Sequence, residues 1–235
     1  MDDRDLVRYF ADLAHRLMAE ETVEATMQAI VDAAVELIDG CDHASISHMR
    51  GQSLISASSN DAIGVALDGI QTGAEEGPCL DANRTGEVMA TGDLRTDPRW
   101  PVYGPHAVEA TGVHSSLALP LDDGRRTVGA LNLFADRPGT FGDDSSNPDA
   151  EAIASILAAH ATPALVASLL REDMAAALAS RDVIGQAKGM LMARAGVDEQ
   201  EAFALLRRAS QRMQVKLAEV ARRLVRGELT DEGDV

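Results

Sequence analysis

Cysteine, histidine and the basic residues are where this sequence could do chemistry, and the first two offer little. Cys41 and Cys79 are the only cysteines among 235 residues. Cys79 follows Pro78 at an expected helix start, where backbone N–H groups would favour a thiolate and suit a redox sensor. The competing expectation is a small buried side chain, since free cysteine is among the most buried residue types. A disulfide is not expected in a reducing compartment, so both are read as free thiols. His15, His43, His48, His106, His114 and His160 show no HxxxH or Cys/His ligand spacing, and no metal is assigned. Neither GxSxG nor GxxxxGK[ST] occurs. No catalytic residue or cofactor is assigned, and the chain is not expected to be an enzyme.

The basic residues are more informative because they are confined. From Arg181 to Arg226 ten Lys or Arg stand against five Asp or Glu, a local charge of +5. The rest of the chain carries eleven basic and thirty-three acidic residues, or -22, within a whole-chain charge of -17. A basic island on an acidic protein favours phosphate at the island and repels it elsewhere. Lys188, Arg207, Arg208, Arg212 and Lys216 are therefore candidates for phosphate contact, RNA included, although a charge run taken alone is most often a solvated helix face. Ser210 offers a hydroxyl, and Gly189, a poor helix former, would be explained by the close approach of another backbone, whether RNA or protein. Phe203, the one aromatic residue of the segment, is placed on the core stripe, which leaves unpaired bases to Arg, Lys, Gln and backbone.

Three short helices must position these residues. Ile184, Ala187, Leu191 and Ala195 recur at steps of three and four, and Gly196 ends that helix. Asp198 is set to cap the next, with Glu201 reaching back as in a capping box. Ala202, Leu206, Ala209 and Met213 form its buried stripe, and Leu217, Val220, Ala221 and Leu224 that of the third. The order Ile184, Ala187, Lys188, Gly189, Leu191, Met192, then Ala202, Phe203, Leu206, Arg207, Ser210, then Leu217 and Ala221 resembles the ANTAR domain, an RNA-binding module of bacterial transcription antitermination regulators. The resemblance implies a homodimer that binds paired RNA hairpins in nascent transcripts and keeps a terminator from forming. A helix-turn-helix DNA binder, with Glu199 to Met213 and Lys216 to Val225 as the helix pair, is the alternative.

The preceding residues read as a larger domain. A helix is expected over Asp2 to Glu21, then one capped by Thr22 and running to about Asp39. Ala44 to Met49 and Leu54 to Ser58 alternate as strands about a turn at Gly51, and Asp61 to Gly73 is expected to be helical. Glu75 to Gly112 is dense in Gly and Pro, the composition of an irregular crossing segment. Val113 to Leu121 and Val128 to Ala135 form a second hairpin, the latter apolar enough to be central. A long helix follows from Asp149 toward Arg181, with Pro163 expected to kink it. Its Ala/Leu stripe could pair with a second subunit as a helical bundle.

That order, with EEGPCLDANRTGEVMATGDLRTDPRW from Glu75 to Trp100 and VHSSLALPL from Val113 to Leu121, resembles a GAF domain over roughly Glu21 to Ala167. The resemblance implies a sensory module holding an unknown small-molecule ligand between its sheet and the crossing segment. Bilin attachment in GAF photoreceptors uses a Cys-His pair; here Leu80 follows Cys79 and Cys41 is separated from His43.

The expected fold class is α+β: a GAF-like antiparallel sheet with helices on one face, then a long helix and a small three-helix ANTAR-like module. Residues 1–170 are assigned to the first domain and 171–235 to the second. With 46% hydrophobic residues there is ample material for a core. The start MDDRDLVR lacks a signal-peptide pattern and no run of some twenty apolar residues is noted, so a cytoplasmic protein without membrane contact is expected.

Overall fold

The computed structural model describes residues 3–50, 53–125, 127–142 and 145–229. They form two compact units, Met1–Leu169 and Leu170–Val235. The first is α+β. Helix α1 (Asp3–Ala19) buries Phe10, Leu13 and Leu17 on one stripe. Thr22 caps α2 (Val23–Leu37), its side chain accepting from the Ala25 N–H at 3.1 Å. Strands β1 (His43–Arg50) and β2 (Ser53–Ser59) follow; the turn expected at Gly51 lies outside the described residues. Asp61 caps α3 (Ala62–Ala74) through the Ile63 N–H.

The crossing segment is more regular than its Gly and Pro content suggests. It holds α4 (Pro78–Thr85), the three-residue strand β3 (Met89–Thr91) and α5 (Tyr103–Thr111). Pro78 sits in the first turn of α4, where a missing N–H costs nothing, and Gly86 closes the helix at φ 71°. At Gly104 a Cβ would lie 1.8 Å from the Leu94 carbonyl oxygen, so α5 can begin against that loop only with glycine there.

Strands β4 (Ser115–Asp122) and β5 (Thr127–Ala135) complete an antiparallel sheet in the order β2-β1-β5-β4-β3. The apolar β5 is central, as its composition predicts. Helices on one face only is an expectation the structure corrects. Ala44, Ile46, Leu117, Leu119, Leu131 and Leu133 pack with α1, α2 and the start of α6. The opposite face, carrying Ser45, Ser47, Ala130, Asn132 and Phe134, is covered by α3, α4 and α5. Serine alternation in β1 therefore marks a buried polar face instead of a wet one.

The long helix and the first helix of the basic segment are one element, α6 (Ala150–Ala195), with Pro163 inside it. It contains a stretch long and apolar enough by composition to cross a membrane, which corrects the expectation that none occurs. Ala154, Leu157, Ala161 and Leu165 of that stretch are buried in the core of the first unit.

In the second unit Ala187 and Leu191 of α6 pack against Ala202, Leu206 and Ala209 of α7 (Glu199–Met213) and Val220, Ala221 and Leu224 of α8 (Leu217–Val225). Gly196, at φ 68°, donates its N–H to the Met192 carbonyl and ends α6. Asp198 accepts from the Glu201 N–H at 2.8 Å while Glu201 accepts from the Asp198 N–H at 3.2 Å, the expected capping box. Asp198→Ala is expected to cost this unit about 1 kcal/mol. A lower urea midpoint would register the loss, and an unchanged one would show that the box adds nothing.

Candidate nucleic-acid interface and buried polar layer

The candidate RNA-binding residues fall on the outside of the three-helix unit. Arg207, Arg208 and Arg212 are exposed on α7, and Lys216 is exposed at the start of α8. None of these four makes an ion pair among the described residues, so their charge is available to a phosphate. Lys188, half-buried on α6, is paired with Glu199 at the start of α7. That hydrogen bond and the ammonium charge hold the Glu199 carboxyl below its usual range. A phosphate reaching Lys188 would displace a carboxylate.

Gly189 is exposed, and a Cβ added there would meet nothing within 4 Å, so no backbone among the described residues accounts for it. Ser210 has a structural use: its hydroxyl donates to the Val215 carbonyl at 2.6 Å and closes the turn between α7 and α8. Gln214 in that turn takes the left-handed conformation at φ 55°, and its N–H bonds the Ser210 carbonyl. The Ser210 hydroxyl can still accept a hydrogen bond, but its proton is committed.

Phe203 is placed differently from the sequence expectation. It is 41% exposed, one turn before Arg207 on α7. The core stripe of α7 is closed by Ala202, Leu206 and Ala209 without it. An exposed ring next to an unpaired guanidinium is a platform on which an unstacked base can lie.

In the first unit the covered serine face carries a connected polar cluster. The Asn132 amide donates to the hydroxyls of Ser47 at 2.8 Å and Ser45 at 3.3 Å. Ser47 is hydrogen bonded to the Cys79 thiol at 3.1 Å, and the Cys79 N–H donates to the Gln71 side-chain oxygen Oε1 at 2.9 Å. Asp68 of α3 is 2% exposed; burial pushes its carboxyl up to about 7, and the nearby hydroxyls of Ser56 and Ser47 offset this only in part. Neither hydroxyl reaches hydrogen-bond geometry with the carboxylate, and both Asp68 oxygens are without a partner. Burial likewise pushes the Cys79 thiol up to about 12, with the Asp68 charge adding to it. Such a thiol is neutral and inert, which removes the basis for a thiolate at Cys79. Among the described residues no group of three or more His, Cys, Asp or Glu could hold a metal ion.

The GAF domain family model matches residues 20–166 and the ANTAR domain model residues 172–225. The chain belongs to the GAF domain family and carries a C-terminal ANTAR domain. The GAF domain of a phosphoenolpyruvate-protein phosphotransferase from Coxiella burnetii is similar in fold at 14% identity, covering 74% of this chain and 99% of that one, with a TM-score of 0.55. The equivalent domain from Acinetobacter gives 13%, 74%, 99% and 0.51. A free methionine-R-sulfoxide reductase from Neisseria meningitidis gives 15%, 73%, 95% and 0.52. At these identities the likeness establishes the GAF fold. No curated relative matches the chain. A sensor domain joined to an RNA-binding domain is the composition of a regulator.

Proposed function

We propose that this protein is a dimeric transcription antitermination regulator of the cytoplasm. Its two ANTAR domains engage paired hairpins in a nascent transcript, and its GAF domain, binding a small molecule, controls their engagement. The observation that carries this reading is the row of four exposed, unpaired cations, Arg207, Arg208, Arg212 and Lys216, on a unit otherwise closed around its own core. Lys188, Gly189 and the Ser210 lone pairs complete the proposed surface, and Phe203 adds a stacking face. Residues 1–170 would form the sensing part and 171–235 the RNA-binding part.

Dimerisation would be served by α6. Leu170, Met174 and Leu178 succeed one another at one-turn steps and are 58%, 58% and 59% exposed, an apolar stripe that calls for a partner. Leu169, by contrast, is half-buried against the core of the first unit. Replacing Leu170 and Leu178 together by Glu is expected to yield monomers in sedimentation and to lower affinity for a two-hairpin RNA more than for a single hairpin. A dimer that survives both substitutions would place the subunit contact elsewhere.

The deciding experiment is binding of the full-length protein to a two-hairpin RNA and to duplex DNA of the same sequence, at 50 and 200 mM salt. Preference for the hairpins at both salts is expected. Preference for the duplex would replace this reading by helix-turn-helix recognition of DNA.

A further inference from the structure

The polar cluster beneath α3, α4 and α5 is unusual in what it leaves undone. Besides the two Asp68 oxygens, the Asn132 side-chain carbonyl, the Gln71 side-chain NH₂ and the hydroxyls of Ser56 and Tyr103 are buried without a hydrogen-bond partner. Asp68, Gln71, Tyr103 and Asn132 are each at least 98% buried. Each orphaned buried polar group carries a desolvation penalty, and a fold normally leaves few of them. Several in one linked cluster mark a place built to meet polar groups from outside the chain.

The balance of the cluster shows which groups. When Asp68 is ionised three atoms can only accept, namely both its oxygens and the Asn132 carbonyl, while the Gln71 NH₂ can only donate and the two hydroxyls can do either. The titratable groups facing Asp68 are Cys79 from α4 and Tyr103 from α5, and neither brings a positive charge. Strands β1 and β2 face it with the neutral Ser47 and Ser56. A hard metal ion would ask for six or more oxygen ligands, which one carboxylate and an amide do not approach.

We propose that this layer binds a small organic monocation, an ammonium, amidinium or guanidinium compound, whose N–H groups are taken by the Asp68 carboxylate and the Asn132 carbonyl while Gln71 donates to a polar substituent. The inference rests on the reading of the GAF domain as a sensor and names the chemical class of its signal. A neutral polyol could meet the hydroxyls but would leave the ionised carboxylate uncompensated. A cation pairs with it and fills the missing half of a buried ion pair.

The test is titration calorimetry of the full-length protein at pH 7 with methylammonium, acetamidinium and methylguanidinium. Methanol, acetamide and methylurea serve as neutral counterparts, and sodium chloride as the ionic-strength control. At least one cation is expected to bind saturably and at least tenfold more tightly than its counterpart. Because burial raises the Asp68 carboxyl to about 7, cation binding should release protons, seen as heats that differ between phosphate and Tris buffers. Asp68→Asn should weaken cation binding at least tenfold and abolish proton release, with circular dichroism confirming the fold. Cations that bind no better than their neutral counterparts, or that bind Asp68→Asn as tightly as the wild-type protein, would overturn the proposal. The sensor reading is tested separately by two-hairpin affinity under a saturating cation. If the cation binds through Asp68 and hairpin affinity does not move, the site stands and its control of the ANTAR domain falls.

Discussion

Asp68→Asn is expected to raise the unfolding temperature at pH 8 by on the order of 10 °C, the opposite of what most buried substitutions do. The folded protein holds this carboxyl at about 7 against an ordinary 3.8, because burial penalises the charged form. A raised folded value means that the stability it contributes is complete below the unfolded value and is lost as pH rises to about 7. Across that interval the loss approaches about 4 kcal/mol, at 1.36 kcal/mol per pH unit. Asparagine keeps the shape and stays neutral, so the gain should be largest at pH 8, fall below half by pH 5 and vanish near pH 4. A gain that does not vary with pH, or a loss at pH 8, would show that Asp68 is not a buried unpaired carboxylate. Cys79 and Tyr103, both pushed above their ordinary values, do not titrate in this window.

Arg207→Ala, Arg208→Ala and Arg212→Ala combined are expected to weaken hairpin binding on the order of 100-fold at 50 mM salt and to reduce the slope of log affinity against log salt by about two. The three side chains are exposed and make no ion pair among the described residues, so thermal stability should stay within about 0.5 kcal/mol of wild type. Lysine at the same positions keeps the charge but loses the planar fork. It should restore the salt slope while recovering affinity only in part. Full affinity with three alanines would remove α7 from the interface.

What could be read from the sequence divides along the range of the forces involved. The Asp198–Glu201 capping box, the Gly196 stop and the Thr22 cap were legible because each is settled within a few residues. The GAF and ANTAR matches were legible because several such local choices recur in one order. Phe203 was misplaced for a geometric reason. It falls about 90° from the centre of the stripe Ala202, Leu206, Ala209 and Met213, at 100° per residue. A residue on that margin is buried or exposed according to how far the neighbouring helix reaches. Strand β3 was missed because three residues acquire strand character only by pairing with β4, a contact that local composition does not encode. The expectation of helices on one face only failed for a related reason. Alternation tells which residues share a face, and only the helices packed on it decide whether that face meets water.

Gly104 bears on how this protein can change over time. The Leu94 carbonyl occupies the place of a side chain there, 1.8 Å from where a Cβ would be. Any other residue would lift the start of α5 and, with it, Tyr103, which lies beside it in the roof of the polar layer. Substitutions nearby can be absorbed singly: Gly69 and Gly73 of α3 and Gly112 after α5 have open space around them, although Gly112 holds a left-handed turn. Side chains can thus be added at Gly69 and Gly73 while position 104 stays shut. Altered preference for the proposed cation is more readily reached through Ser56, Gln71 and Asn132 than by moving the helix that encloses them.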